Sequence, residues 1–263
     1  MTDENGDVRL TIAGPIATIL IDRPKKLNAM TSAMDGRMNE ICYEINQRDE
    51  IRSVVLRGEG QRAFCAGSDI NDLGTYGTKW QQRNRIFSRH DYVYGLLSVR
   101  KPIVIAVRGY VFGGGLEMCC AADIRVGTET ASFCPAEIRN GWHGGSGATQ
   151  LLTRVVGPGK ASEMLLTGDP MDAREAYRVG LLQRLVADDQ LESTAYAIAA
   201  RIAEHAPIAI ESTKNMIKIA QSASFEVGMA YENDMFAYCM LTQDAQEGRD
   251  AFAEKRKPVF KGE

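Results

Sequence analysis

The segment from residue 101 to residue 126 reads KPIVIAVRGYVFGGGLEMCCAADIRV, and it decides the fold class. It begins with an apolar stretch, Ile103–Val107, that is typical of a buried strand. The glycine-led stretch after it predicts a helix from about Gly114 to Ala121, and residues 123–126 predict another strand. A strand, a helix and a strand joined by long crossovers form a sheet with parallel connections. The sequence therefore predicts an α/β fold.

Working outward from this segment, the periodicity of apolar residues predicts further elements on both sides. They are a β-hairpin over residues 8–21, a helix over 31–48 capped by Thr31 or Ser32, a strand at 53–57, a second glycine-led helix from near Gly145 towards Leu152, a helix at 161–166 and a helix capped by Asp172. From Leu191 onward the residues are almost all helix-forming, which predicts a C-terminal helical layer.

Composition excludes several function classes. The 263 residues are 44% hydrophobic and 25% charged, as in an ordinary globular protein. A net charge of -3 argues against a general nucleic-acid binder, although local lysines could still meet an anionic ligand. The polar N-terminus and the lack of a long apolar stretch predict no signal peptide and no membrane span, so the cytoplasm is the expected location. Six cysteines without C-x-x-C spacing predict buried free thiols and no metal site.

Two glutamates are the candidate reactive groups. Glu117 closes the triple-glycine segment, and Glu137 is followed by a second glycine cluster, residues 141–147. Paired carboxyl groups in unequal surroundings can divide acid and base duty, because their pKa values are pushed apart. Glycines beside them let backbone N–H groups approach a substrate oxygen. The pattern predicts an enzyme that adds or removes a proton next to a carbonyl.

Five motifs resemble the crotonase family, also called the enoyl-CoA hydratase/isomerase superfamily. They are residues 22–30, residues 63–70, Lys101-Pro102, the triple glycine and residues 251–257. The resemblance spans nearly the whole chain and implies a spiral of ββα units with a C-terminal helical trimerisation region. It implies a core over residues 1–195 that holds the CoA-thioester site, an oligomerisation region over residues 196–263, and assembly as a homotrimer or homohexamer.

The same resemblance implies roles for five site residues. Glu117 would deprotonate the water that attacks C3, and Glu137 would share that water and deliver a proton to C2. The N–H groups of Ser68 and Gly114 would form the oxyanion hole, and the N–H of Gly145 would orient the water. The structural alternatives are that Glu117 is a solvated helix residue, that Glu137 is a helix cap, and that the glycines only allow tight packing.

Binding of the CoA portion is likewise implied by family position. The residues are Lys25, Lys26, Leu27, Ala29, Ala66, Ser68, Asp69, Ile70, Phe252 and Lys255. Each lysine taken alone could equally be a solvated surface charge.

The resemblance implies reversible syn addition of water to a 2-enoyl-CoA, with CoA as part of the substrate and with no separate cofactor. A dehydratase or a double-bond isomerase acting on another acyl-CoA is the nearest alternative, and a non-catalytic or RNA-associating scaffold is a distant one. The chain departs from the common pattern at Trp142-His143, at Ser68 and over residues 71–91. His143 could bond an oxygenated acyl chain or simply be packed, and residues 71–91, with Tyr76, Trp80, Phe87 and His90, would suit acyl length.

Overall fold

A computed structural model describes residues 6–72 and 91–263 of the chain. Most of the segment expected to adapt to acyl length, including Tyr76, Trp80, Phe87 and His90, lies outside the described residues.

The described strands form two sheets. In chain order the strands are β1 (Asp7–Ala13), β2 (Ile16–Asp22), β3 (Ser53–Gly58), β4 (Ala63–Cys65), β5 (Ile103–Val107), β6 (Tyr110–Phe112), β7 (Ile124–Thr128), β8 (Ser132–Cys134), β9 (Met171–Asp172) and β10 (Arg184–Val186). The larger sheet has the order β1-β2-β3-β5-β7-β10, and the smaller has the order β4-β6-β8-β9.

Helices lie between these strands in the chain, and a run of further helices follows the last strand. The helices are α1 (Ser32–Gln47), α2 (Tyr92–Ser98), α3 (Gly114–Ala121), α4 (Ala148–Thr167), α5 (Ala173–Arg178), α6 (Leu191–Ala203), α7 (Pro207–Ala220), α8 (Phe225–Met240) and α9 (Gln243–Glu254). Thr31 caps α1 and Asp172 caps α5 through their side chains, as expected from the sequence.

The strands from β3 to β8 alternate between the two sheets. β3, β5 and β7 lie parallel in the larger sheet, and the strand after each of them, β4, β6 or β8, lies parallel in the smaller sheet. β1 and β2 form the predicted antiparallel hairpin. The mixed α/β class with parallel connections is therefore confirmed, and the C-terminal helices are present.

Both faces of the larger sheet are buried, which explains the unbroken apolar run in β5. Ile103 and Ile105 point into the main core, whereas Val104 and Ala106 pack with Leu191 and its neighbours on α6. Alternate residues of a strand point to opposite faces, so only a continuous apolar run satisfies both sides.

The expected helix start near Gly145 is wrong by three residues. α4 begins at Ala148, because Gly147 adopts a left-handed conformation with φ of 100° and turns the chain immediately before the helix. The segments expected to be separate helices, from near Gly145 towards Leu152 and over 161–166, fall in α4 on the two sides of its break at Gly157.

The predicted boundary between residues 195 and 196 falls within α6, and the division into core and oligomerisation regions stays a prediction. Within residues 6–72 and 91–263, no helix is both long enough and apolar enough to cross a bilayer.

Candidate active site

Three parallel strands of the smaller sheet end at one edge, and each is followed by predicted site residues. Ser68 follows β4, Gly114 follows β6, and Glu137 lies in the single-turn helix Ala136–Asn140 after β8. β6 pairs with β4 on one side and β8 on the other. Carboxyl ends of neighbouring parallel strands meet at the same edge of a sheet, so residues far apart in sequence converge here.

The loop that carries one predicted oxyanion-hole donor, Ser68, passes close to the residue that carries the other, Gly114. A Cβ at Gly67 would lie 3.1 Å from the amide nitrogen of Gly114, which shows how closely this loop passes the start of α3. The N–H of Met30 donates to the oxygen of Gly67, and the N–H of Asp69 donates to the oxygen of Met30, which makes a parallel bridge between Met30 and Ser68. In a parallel bridge of this kind the N–H of the middle residue, here Ser68, points away from the partner strand. Gly114 is the first residue of α3, where backbone N–H groups lack helical acceptors.

Gly114 has to be glycine in this packing. A Cβ there would overlap the hydroxyl of Tyr92, which lies buried against the start of α3. The same hydroxyl shares a hydrogen bond of 3.1 Å with the side-chain hydroxyl of Ser68. Tyr92 therefore contacts both candidate donor residues.

Glu117 is buried in α3 with only 3% of its surface exposed. Its Oε1 accepts hydrogen bonds from the N–H of Ser146 at 3.0 Å and the N–H of Ala148 at 3.2 Å. Burial and, next, the negative charge of Glu137 raise the pKa of Glu117, the two N–H donors lower it, and the net pKa is about 7. The alternative that Glu117 is a solvated helix residue is therefore wrong.

Glu137 has quite different surroundings. It is half-buried, and its Oε2 is buried without a hydrogen-bond partner among the described residues. A Cβ at Gly113 would lie 2.9 Å from its Oε1, so the carboxyl group lies against the residue that precedes α3. Burial raises the pKa of Glu137 as well.

The surroundings of the two carboxyl groups differ. N–H donors stabilise the ionised form of Glu117, yet burial and the charge of Glu137 still raise its pKa to about 7, whereas at Glu137 burial raises the pKa and the residue's own backbone N–H opposes that rise. Two interacting groups of this kind titrate as a pair. The arrangement can hold one proton between two acids beside a pair of N–H donors.

Gly145, Trp142 and His143 lie on the loop between the Glu137 segment and α4. Gly145 is exposed, and a Cβ there would meet no atom within 4 Å. Trp142 is 42% exposed. His143 is also exposed, and its Nδ1 lies 2.8 Å from the oxygen of Gly144, so the expectation of a packed histidine is wrong.

The residues expected at the nucleotide portion of CoA fall into two groups. Lys25 and Lys26 are exposed on a short turn, and the N–H of Ala66 bonds to the oxygen of Leu27, which joins this turn to the loop after β4. Ala29 and Ile70 lie on the same two segments. The side chain of Asp69 forms an ion pair of 2.7 Å with Arg23.

Phe252 and Lys255 form the second group, at the end of α9. Phe252 is 88% exposed, and Lys255 adopts a left-handed conformation just after the helix. Among the described residues, no backbone–backbone hydrogen bond joins either of them to the turn of Lys25 and Lys26.

Sequence reasoning missed four residues that organise the site. Asn28 is fully buried and its side-chain amide donates to three backbone oxygens, including those of Ala63 and Phe64 of β4. Asp91, Tyr92 and Ser146 support Glu117 and the N–H donors. Their partners are 24 to 55 residues away in the chain, so no local pattern could have revealed them.

A family model described as enoyl-CoA hydratase/isomerase matches residues 11–263, which is nearly the whole chain. This chain is a member of the enoyl-CoA hydratase/isomerase family. The family membership inferred from the five motifs is confirmed.

Individual relatives are similar to this family member over nearly its whole length. The short-chain-enoyl-CoA hydratase of Clostridium acetobutylicum is 34% identical, with 97% of each chain covered. The (E)-benzylidenesuccinyl-CoA hydratase of Thauera aromatica is 30% identical over 97% of this chain and 99% of its own. The crystal structure of enoyl-CoA hydratase from Bacillus anthracis is 30% identical and superposes with a TM-score of 0.90, covering 97% of this chain and 99% of that one. The crotonase-like fold is thereby confirmed.

Proposed function

We propose that this family member catalyses the reversible syn addition of water to a 2-enoyl-CoA, giving a 3-hydroxyacyl-CoA. The observation that carries the proposal is the convergence of Glu117, Glu137 and the N–H groups of Ser68 and Gly114 at one edge of the smaller sheet. Each of these groups can either transfer a proton or stabilise the negative charge that develops in the reaction.

Glu117 is the proposed base. Its ionised form is held by the N–H groups of Ser146 and Ala148, while its raised pKa of about 7 makes it basic enough to take a proton from water. As the water oxygen bonds to C3, Glu117 removes one of its protons. The electron pair of the C2=C3 bond then moves towards the thioester oxygen.

The enolate oxygen is the group that the two N–H donors would stabilise. The donors of Ser68 and Gly114 are backbone groups fixed by strand and helix geometry, so they need no rearrangement as negative charge develops. The N-terminus of α3 adds the favourable end of its dipole, and loss of one such donor costs about 10²–10³ in rate.

Glu137 is the proposed acid. In the proposed reactive state the proton shared by the pair is on Glu137, whose pKa is raised by burial, and this proton is delivered to C2 as the enolate collapses. The proton lost by water ends on Glu117, so the pair returns to its starting state by exchange with solvent. Gly145 is proposed to orient the water through its N–H. We propose no redox cofactor, because hydration leaves no net change in oxidation state to be carried, and no metal, because the two N–H donors are assigned the stabilisation of the enolate oxygen.

The CoA portion is proposed to bind along the joined segments of Lys25 to Ala29 and Ala66 to Ile70. The exposed lysines provide charge for phosphates, and the backbone link between Leu27 and Ala66 makes the two segments one surface. Phe252 and Lys255 are proposed to close over the nucleotide.

Assembly as a homotrimer or homohexamer is also part of the proposal. Large apolar side chains are exposed on the C-terminal helices, including Phe225, Phe236 and Leu241, and such a surface favours association with further copies. Light scattering at several protein concentrations tests this point. The free, mostly buried cysteines are compatible with a reducing compartment such as the cytoplasm.

A panel of short, long, branched and aryl 2-enoyl-CoA thioesters tests the reaction. We expect at least one member to lose its enoyl absorbance and to gain the mass of one water, with the label of ¹⁸O-water appearing at C3. A double-bond shift would leave the mass unchanged and would overturn the hydratase assignment. A saturated acyl-CoA serves as the control for binding without turnover.

A further inference from the structure

Asp91 lies buried beside the site, and the proposed reaction assigns no role to its carboxylate. It is 1% exposed and lies at the start of α2, where its Oδ1 accepts from the N–H groups of Val93 and Tyr94. That bonding is ordinary helix capping. Its Oδ2 has another partner, the hydroxyl of Ser146, which donates to it at 2.5 Å. Capping α2 does not require this second bond.

Ser146 is bonded on two sides. Its hydroxyl donates to Asp91 and its N–H donates to Oε1 of Glu117, and the residue itself is only 7% exposed. We call this pair of bonds the Ser146 bridge. It joins α2, the loop before α4 and α3, which are separate elements of the chain.

The loop that carries Ser146 is rich in glycine. Gly144 and Gly145 precede Ser146, and Gly147 follows it with φ of 100°. Among the described residues, a Cβ at Gly145 would meet no atom within 4 Å. A run of glycines has large backbone freedom, which a buried charge-assisted hydrogen bond reduces.

We infer that Asp91 is a positioning residue for Glu117: through the Ser146 bridge it fixes the N–H groups that hold and orient the catalytic carboxylate. The inference rests on the proposed function for its kinetic consequences, while the bridge itself can be tested without turnover. It assigns a task in the reaction to two residues, Asp91 and Ser146, that contact neither C2 nor C3 of a substrate in the proposed mechanism.

The bridge also affects the protonation of Glu117. Among the residues that the structure describes, the titratable groups that interact with this carboxyl are the carboxyl of Glu137, the carboxylate of Asp91, the phenol of Tyr92 and the thiol of Cys120 on α3 itself. The charges of Glu137 and Asp91 raise the pKa of Glu117, and the N–H of Ser146 lowers it. A loosened loop weakens that N–H bond, so the pKa of Glu117 should rise.

Ser146→Ala is the first test variant, because it removes the hydroxyl and keeps the N–H. With a thioester that the wild type hydrates, we expect kcat to fall about 10- to 100-fold, since small misplacement of a catalytic group has effects of this size. KM should change little, and the acidic limb of the profile of kcat/KM should move to higher pH. Ser146→Thr keeps a hydroxyl and should recover most of the loss.

Asp91→Asn is the second test variant, because asparagine still caps α2 through its amide oxygen, while its amide nitrogen cannot accept the Ser146 proton and can form only a neutral hydrogen bond to the hydroxyl. The Asp91→Asn and Ser146→Ala double variant should lose no more than the worse single variant, because both changes remove the same charge-assisted bond. Additive losses would overturn the inference. The matched control is Asp172→Asn at the cap of α5, outside the site, which should leave kcat, KM and the pH profile unchanged.

Hydrogen exchange followed by mass spectrometry measures the bridge independently of turnover. Peptides that contain residues 144–150 should exchange faster in Ser146→Ala and Asp91→Asn, while peptides from the large sheet should not. Unchanged exchange at this loop, or faster exchange throughout the chain, would overturn the inference. A wild type that hydrates no thioester would refute the proposed function instead, and the exchange result would still decide whether the bridge exists.

Discussion

The segments that carry Glu117 and Glu137 differ in how firmly they hold their carboxyl groups. Glu117 lies in a fully buried helix and accepts two backbone N–H bonds, whereas Glu137 lies in a single turn and has a buried oxygen without a donor. Burial raises both pKa values, and the N–H groups of Ser146 and Ala148 oppose that rise at Glu117. These donors also hold and orient the Glu117 carboxyl group, which supports its proposed role as the base and leaves the acid role to Glu137.

Replacing each glutamate with glutamine tests the proposed division into base and acid, and it should have the largest effect on turnover. In Glu117→Gln the side-chain oxygen can still accept from Ser146 and Ala148, so the geometry is retained and only the base is lost. We expect turnover to fall about 10³- to 10⁴-fold, and about 10²- to 10³-fold in Glu137→Gln, the scale of general acid–base catalysis. Steady-state hydration rates provide the measurement.

Calorimetric binding of a saturated acyl-CoA is the control for both glutamine variants, and its affinity should be nearly unchanged. Near-wild-type turnover in either variant would refute its catalytic role. A larger loss of turnover in Glu137→Gln than in Glu117→Gln would contradict the expected order of the two effects.

The pH dependence of stability sharpens the same comparison. The pKa of Glu117 in the folded chain, about 7, exceeds its ordinary value of 4.5, so the folded state binds the proton more tightly than the unfolded state does. Stability should therefore decline as pH rises from 4.5 to about 7, by roughly 3 kcal/mol for this group. Glu117→Gln removes that decline.

Thermal melting at pH 4.5 and pH 8 measures this effect. The glutamine variant should be the more stable protein at pH 8, and the difference should shrink towards pH 4.5. A wild type that is as stable as Glu117→Gln at pH 8 would show that Glu117 carries no such cost.

Two adjacent glycines provide a matched pair for the loop that holds Glu117. A Cβ at Gly144 would lie 2.7 Å from Oε1 of Glu117 and 2.5 Å from Cβ of Ala148, whereas one at Gly145 would meet nothing. Gly144→Ala should displace the carboxylate and lower kcat about tenfold or more. Gly145→Ala should keep most of the activity, and equal losses in the two variants would contradict this account of the loop.

Ser68→Ala should have the smallest effect. The variant keeps the backbone N–H that is proposed to act in the oxyanion hole and loses only the hydrogen bond to Tyr92, for a loss of about two- to fivefold in kcat. The same thioester assay provides the measurement. A loss above a hundredfold would mean that the hydroxyl itself acts on the substrate.

The sequence by itself determined much about this protein. The apolar run of β5, the glycines before α3 and the caps Thr31 and Asp172 act through neighbouring residues, so period, propensity and capping predicted these elements. The five motifs were enough to predict the family, because each is short, local and in a fixed order.

Only the tertiary structure decided how the site is supported. The smaller sheet was not predicted, since β4, β6 and β8 have three residues each and too few positions to show a period. The start of α4 was misplaced because the left-handed turn at Gly147 depends on the loop as a whole. The unequal surroundings of Glu117 and Glu137 arise from Asp91, Tyr92 and Ser146, whose distant partners are brought near by parallel strands that end at one edge. Hydrogen bonds between such distant residues leave no periodic trace in a sequence, whereas the local chemistry of glycine turns and apolar strands does.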